Sequence, residues 1–193
     1  MKLFAFADLH GRKKLLKEVI AKAQKVDVVA CLGDFSVFEQ NAAPTLKALG
    51  KLKIPVLILH GNHESASFTQ TMAKKYGLIF FHKKFYEHKG ILLAGFGGGG
   101  FALKDTEYEV FGKKIAQKKY TKLVLLTHGP PHGCKQDLLP EGHVGCKSKK
   151  AVIKKLKPEY ALFGHLHETY HVQDQMGPTR LINVGPDGEI VEL

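Results

Sequence analysis

Five times along this chain an apolar run closes on a short turn that carries Asp, Asn or His, mostly beside glycine. Residues 3–7 lead into Asp8-Leu9-His10-Gly11, and 26–32 into Gly33-Asp34. Residues 56–59 lead into Gly61-Asn62-His63-Glu64, 123–127 into His128-Gly129-Pro130-Pro131, and 160–163 into Gly164-His165-Leu166-His167. Short apolar runs bounded by turn residues read as buried strands. Amphipathic stretches separate them. Residues 13–25 carry Leu15, Leu16, Val19, Ile20 and Ala23 at helical spacing. Further helices are expected over 45–52, from the Ser65 cap to Tyr76 before Gly77, over 107–118 and over 148–156. Alternation of this kind implies right-handed crossovers and a largely parallel sheet.

Strands are also expected over 78–86 and 91–96, joined by a turn near Lys89-Gly90. The end of the chain is strand-rich, over 160–163, 169–173, 181–184 and 189–193. A closing run without helices implies a second sheet with antiparallel parts. The expected fold is therefore α/β, a four-layer αββα sandwich of two mixed β-sheets flanked by helices. No repeat, low-complexity tract or Pro/Ser-rich linker divides the chain, so residues 1–193 are expected to form a single domain. Apolar residues make up 44% and charged residues 24%, which excludes a disordered or fibrous chain. No apolar run approaches the ~20 residues of a membrane span. The stretch 3–7 is shorter than a signal-peptide core of ~7–15 residues, and the expected location is cytoplasmic.

In open α/β sheets, ligands bind beyond the carboxyl ends of the strands. The strand-end residues should therefore converge. The set is Asp8, His10, Asp34, Asn62, His128, His165 and His167. Seven oxygen and nitrogen donors are too many for one tetrahedral ion. They suit two divalent cations sharing a carboxylate, about 3.5–4 Å apart. An extended Asp-x-His or His-x-His puts both side chains on one side. Any one of these motifs alone is more often a surface or core feature. The ordered series of five carries the reading.

That series resembles the calcineurin-like metallophosphoesterase family: Asp-x-His, Gly-Asp, Gly-Asn-His-Asp/Glu, His, and Gly-His-x-His. It runs from Asp8 to His167. The stretch from His128 through Pro130, Pro131 and Gly133 to His143-Val144-Gly145 resembles the small archaeal and bacterial phosphodiesterase-like members. Ile182-Asn183-Val184-Gly185 resembles their late Asn-x-Gly turn. The resemblance implies one metal on Asp8, His10, Asp34 and His167. It implies a second on Asp34, Asn62, His128 and His165, with Asp34 bridging. It makes His63 a general acid, not a ligand, and gives Glu64 the task of orienting that imidazole. The implied function is a dinuclear metal-dependent phosphodiesterase that attacks phosphorus with a metal-bridging hydroxide. The mixed N/O donors suit Mn²⁺ first, and also Fe, Ni²⁺ or Zn²⁺.

Two alternatives stand beside it. A phosphomonoesterase of the protein-phosphatase type usually carries Gly-Asp-x-x-Asp-Arg-Gly, whereas this chain reads Gly33-Asp34-Phe35-Ser36-Val37-Phe38-Glu39 and lacks the arginine. A non-catalytic metal-binding scaffold of the same fold would lack the histidine that is His63 here. The 29 basic and 18 acidic residues leave +11. That balance fits an anionic phosphoester, a nucleotide or another phosphodiester; nucleic acid fits it but is not required, and no membrane partner is expected. The sequence leaves the oligomeric state open.

Other residues carry weaker expectations. The run Lys147, Lys149, Lys150 reads as a solvated face. His60 reads as a strand-end support, and His82, His88 and His171 as surface. His143 is a candidate substrate contact in the loop after His128. Residues 97–100, four glycines, either bring backbone close to the site or form a flexible turn. Cys31 reads as core. Cys134 and Cys146 flank one loop and either pair or remain free thiols.

Overall fold

The computed structural model describes residues 1–193. In chain order the elements begin β1 (Lys2–Phe6), α1 (Lys13–Ala23), β2 (Val28–Cys31), α2 (Ala42–Leu49), β3 (Val56–Ile58), α3 (Ala66–Tyr76), β4 (Ile79–Phe80), β5 (Lys84–His88) and β6 (Ile91–Phe96). They continue with α4 (Thr106–Ala116), β7 (Lys122–Thr127), β8 (Leu138–Leu139), β9 (Gly142–His143), α5 (Lys147–Leu156), β10 (Tyr160–Phe163), β11 (Gln173–Met176), β12 (Thr179–Asn183) and β13 (Glu189–Glu192).

One sheet has the order β13-β1-β2-β3-β4, and the other β11-β12-β10-β7-β6-β5. In the first, β1 to β4 are parallel and β13 lies antiparallel to β1. In the second, β6, β7, β10 and β12 are parallel, with β5 and β11 antiparallel at the edges. Both sheets are mixed.

The layers follow from period-2 alternation. Along β1, Leu3 and Ala5 point between the sheets, where they meet Leu93, Val124, Leu126 and Leu162 of the second sheet. Phe4 and Phe6 point the other way, into a cluster with Val19 and Ala23 of α1, Leu46 of α2 and Ala73 of α3. The second sheet repeats the scheme outward. Phe96, Leu125 and Phe163 pack with Tyr108, Phe111 and Ile115 of α4 and Val152 and Ile153 of α5. The result is the four-layer αββα sandwich of two mixed sheets. No helix is long and apolar enough to cross a membrane.

Three elements differ from the sequence expectation. The apolar stretch 78–86 divides between sheets: β4 pairs with β3, Phe81 is buried between the sheets, and β5 pairs with β6. A side chain at Gly95 would run into the Phe81 ring, so glycine there is what admits the crossover. The stretch 169–173 is strand only at its last residue. His167–Thr169 forms a 3-10 turn and β11 starts at Gln173. The turn is held by Thr169 Oγ1, which donates to Gln136 O (2.9 Å), and by Asn183 Nδ2, which donates to Leu166 O (2.8 Å). Finally, the last strand, β13, joins the first sheet rather than the second.

The loop after β7 is anchored to the second sheet by buried Gln136. Its side-chain Nε2 donates to Val172 O (3.0 Å) and Leu181 O (2.9 Å). Gln136→Ala removes both bonds from a buried site and should lower unfolding free energy by about 1–3 kcal/mol in urea titration. A loss below about 0.5 kcal/mol, the usual size of a neutral surface change, would show that the anchor contributes nothing.

Candidate metal centre

All seven sequence-selected donors lie just beyond the carboxyl ends of β1, β2, β3, β7 and β10. Ligand atoms of Asp8, His10 and His167 lie within 4.8 Å of one another, as do those of His10, Asp34 and His63, and those of Asp34, His128 and His165. Asp34 belongs to two of these groups. Asn62 completes the set: its Oδ1 is 2.9 Å from His128 Nε2.

Backbone strain concentrates at these positions. Asp8, His10, Asp34 and His165 have φ of 55°, 46°, 50° and 76°. Residues with side chains rarely adopt this region, although Asp and His do so more readily than most. Each such residue costs on the order of 1–3 kcal/mol and persists where surroundings over-determine it. Here the loops are cross-stitched. Asp8 N donates to Gly33 O (3.0 Å), His10 N to Asp34 O (2.9 Å) and Gly164 N to His128 O (2.8 Å). Gly33, at φ 104°, lies so close to Gly61 that a Cβ would stand 2.5 Å from Gly61 N.

The buried acids serve the same stitching. Asp8 Oδ2 accepts from His165 N (2.8 Å), joining the two sheets, and Asp34 Oδ1 accepts from His63 N (2.9 Å). Glu64 accepts from Asp34 N (3.0 Å), Ser36 N (2.9 Å), Ser36 Oγ (2.7 Å) and Gly61 N (3.1 Å). This corrects the role expected for Glu64. Its carboxylate is consumed by the backbone around Asp34 and does not orient His63. The His63 ring instead stacks on Phe38, centroids 4.3 Å apart at 20°, and its Nδ1 has no partner.

The donor chemistry fits cations. His10 Nδ1 faces Ser36 O (3.2 Å), so that nitrogen carries the proton and Nε2 is left as a lone pair. That lone pair is aimed at His167 Nε2, 3.2 Å away. His128 Nδ1 likewise donates to Leu32 O (3.0 Å), leaving its Nε2 toward Asn62 Oδ1 and, at 3.5 Å, Asp34 Oδ2. Asp8 Oδ1 and His165 Nε2 are buried with no partner. A set of acceptors converging without donors is satisfied by positive ions.

Electrostatics agree. Burial raises the Asp8 carboxyl to about 6. Burial, then the neighbouring His128, lowers His165 to about 3, and burial lowers His10 and His167. These three imidazoles are thereby kept neutral, the form that binds metal. His128 is the exception: burial opposes its protonation, but the hydrogen bond and charge of Asp34 outweigh burial and raise its pKa. For Asp34, burial opposes ionisation, but the bonds and charges of His128 and His63 outweigh it and hold the carboxyl well below the usual range.

The remaining expectations divide. The four glycines do bring backbone to the site: a Cβ on Gly100 would lie 3.5 Å from Asn62 Cβ, and Gly98 N donates to His60 O (2.8 Å). His82 is not a surface residue. It is half-buried, edge-on to His60, and its Nδ1 accepts from Gly97 N (3.0 Å). Lys149 is not on a solvated face either: it is 2% exposed, and its Nζ donates to Gly129 O (2.8 Å). Burial lowers its pKa to about 8. Within a lysine run nothing in the sequence distinguishes it. Nor does any motif single out Arg12, whose guanidinium donates to Leu9 O and Asp8 O. Cys134 and Cys146 are free buried thiols, and Cys134 Sγ donates to Pro131 O (3.2 Å). His143 Nδ1 bonds Asp137 Oδ1 (2.7 Å).

The family profile described as calcineurin-like phosphoesterase matches residues 1–169. The chain belongs to this family. Solved structures share its fold at low identity. TT1561 of Thermus thermophilus superimposes with a TM-score of 0.73 at 16% identity, covering 95% of this chain and 88% of that one. A dimetal phosphatase from Danio rerio gives 0.69 at 12%, covering 96% and 87%. An archaeal phosphodiesterase gives 0.55 at 16%, covering 96% and 84%. Among curated sequences, a UPF0046 protein of Caenorhabditis elegans is 39% identical over 74 residues. That stretch is 36% of this chain and 18% of the relative's length.

The loop after His128 owes its shape to Asp137, which accepts from Gly133 N (3.0 Å), Cys134 N (2.8 Å) and Gly145 N (2.9 Å). Burial alone would raise this carboxyl; the N–H groups and His143 outweigh it, and the pKa is lowered from 3.8. Because the folded value is depressed, the stabilisation is complete above the unfolded value of 3.8 and lost as pH falls through the folded one. The stability gap between wild type and Asp137→Asn, measured by urea unfolding across a pH series, should therefore narrow below about pH 4. A gap independent of pH would contradict this assignment.

Proposed function

We propose that this protein is a dinuclear metal-dependent phosphodiesterase with His63 as its general acid. The observation that supports the reading is the convergence of carboxylates and imidazoles around Asp34, with Asp8 Oδ1 and His165 Nε2 buried and unpartnered. In this reading Asp8, His10, Asp34 and His167 hold one divalent cation. Asp34, Asn62, His128 and His165 hold the other. Bound there, two cations would supply a hydroxide nucleophile at neutral pH and neutralise charge on phosphoryl oxygens. Mn²⁺ suits the mixed donors, as do Fe, Ni²⁺ and Zn²⁺.

His63 supplies the proton. Its Nε2 stands 3.9 Å from Asp34 Oδ2, and its Nδ1 is not engaged by the protein. As the attacking oxygen bonds to phosphorus, the ester P–O bond breaks. The leaving alkoxide then takes the His63 proton. Phe38 and Asp34 fix the ring against which that oxygen departs.

The preference for diesters rests on charge. A diester carries one negative charge and a monoester close to two at neutral pH. Two cationic side chains beside the donors are already committed: Arg12 to the carbonyls of Asp8 and Leu9, Lys149 to that of Gly129. Neither offers the bidentate grip that a dianion would require. The +11 balance would draw an anionic phosphoester inward.

Chelation should abolish hydrolysis of an aryl diester, and Mn²⁺ should restore it. Asp34→Asn should lose bound metal by elemental analysis; two ions per chain in that variant would overturn the bridging role. His63→Ala should retain both ions yet lose about 10²–10⁴ in rate, the usual worth of a general acid. A wild-type rate in His63→Ala would favour the scaffold alternative. On matched aryl esters, a tenfold or greater monoester preference, about 1.4 kcal/mol, would overturn the diesterase reading.

A further inference from the structure

The rim of the donor cluster carries two large rings that the fold leaves in water. Phe38 is 68% exposed and Phe101 is 63% exposed, the two highest values among the large apolar side chains exposed here. A single exposed apolar residue is ordinary. These two are not scattered. Phe38 stacks on His63, and Phe101 meets the His165 ring edge-on, centroids 4.5 Å apart at 64°.

The turn that presents Phe38 is strained and fastened. Phe38 and Glu39 have φ of 48° and 67°, a region in which a bulky residue is an outlier. Val37 and Gln40 exchange backbone hydrogen bonds across it, Gln40 N to Val37 O at 2.9 Å and Val37 N to Gln40 O at 3.3 Å. Ser36 Oγ accepts from Glu39 N (3.2 Å) while donating to Glu64. Glu39 Oε1 accepts from Ser65 N (2.9 Å) and Ser65 Oγ (2.7 Å). The buried Glu64 beneath the donors is thus tied to the turn through Ser36. A protein that holds a strained backbone in order to keep an apolar ring wet is maintaining a contact surface. Such strain clusters at ligand clamps.

One face of the Phe38 ring covers His63, the group assigned to protonate the leaving oxygen. The substituent on that oxygen must then pass beside Phe38. Nothing polar is contributed by the ring; what it recognises is planar and apolar. We propose that Phe38 is a specificity platform, and that the substrate is a phosphodiester whose leaving arm bears a planar aromatic ring. This rests on the phosphodiesterase reading above and adds the identity of one ester arm.

The test uses the metal-loaded full chain and two methyl diesters. One has an aryl leaving group, the other a fluoroalkyl leaving group of matched acidity. Phe38→Ala should lower the ratio of kcat/KM for the aryl over the fluoroalkyl diester about tenfold, the worth of one stacked pair, on top of whatever loss common to both diesters follows from a less steady His63. Phe38→Leu, which keeps apolar bulk without a planar face, should lose the aryl preference as well. Phe38→Trp should restore it. Equal losses on both diesters would overturn the proposal, because Phe38 would then only steady His63; so would no loss on either. Binding gives the same comparison without turnover. Calorimetry with methyl benzylphosphonate and a methyl fluoroalkylphosphonate should show weaker binding of the benzyl compound alone in Phe38→Ala. Indifference of both compounds to the substitution would overturn the platform. No wild-type turnover of either diester, with benzyl selectivity intact, would overturn the phosphodiesterase reading and leave the platform standing.

Discussion

Three carboxylates, Asp8, Asp34 and Glu64, are buried where the strands of the first sheet end. Burying a carboxylate costs several kcal/mol unless hydrogen bonds or positive charge replace the water it loses. Glu64 is met by three backbone N–H groups and a hydroxyl. Asp8 and Asp34 each receive one backbone N–H, from His165 and His63, and keep oxygens facing the imidazoles. The first acid is therefore satisfied by the protein itself. The other two are only half satisfied. That difference separates a structural acid from two acids suited to metal, although all three stand just beyond strand ends.

The stitching explains the backbone strain. A strand delivers its last residue in extended conformation, and the donors must turn back toward a common point. Asp8, His10, Asp34 and His165 do so in the left-handed region. The bonds that make these turns tolerable run to other donor-bearing loops, not to their own strands. Asp8 reaches Gly33 and His165, His10 reaches Asp34, and Gly164 reaches His128. Removing one loop therefore loosens the next, and the centre behaves as one unit rather than as seven independent side chains.

Much of this was legible in the sequence, for a definite reason. Metal donors at strand ends must be Asp, Asn or His, and the backbone crowding around them demands glycine, so the pattern is written in residue identity. The αββα layering was legible because strand–helix alternation gives way to a closing run of strands without helices. What was not legible depends on neighbours distant in sequence. Glu64 follows His63 directly, yet its bonds run to Asp34 and Ser36, about thirty residues away. Lys149 lies in a lysine run, and only the packing of α5 against the Gly129 loop buries it. The split of 78–86 into β4 and β5 turns on Gly95 leaving room for Phe81. Phe38 reads as an ordinary apolar residue until its φ and its exposure are known together.

The two sheets divide the donors between them, and that division decides how the centre is kept in register. The first sheet contributes Asp8, His10, Asp34 and Asn62, with His63 beside them; the second contributes His128, His165 and His167. No metal site in such an arrangement belongs to one sheet. Its geometry is set by the spacing of the two layers, which is fixed by the side chains packed between them. Those are mostly Leu, Val, Ala and Ile in alternating register, with Phe81 inserted at the crossover. Interiors packed in this way resist compression and transmit strain. The hydrogen bond from His165 N to Asp8 Oδ2 then acts as a gauge between the layers, because it closes only when both sheets stand at the correct separation. The small residues Ala5 of β1 and Ala7 just beyond it, both packed between the sheets, lead to that bond. Their size sets how near the sheets approach where the donors meet, which makes the interior packing part of the site's chemistry.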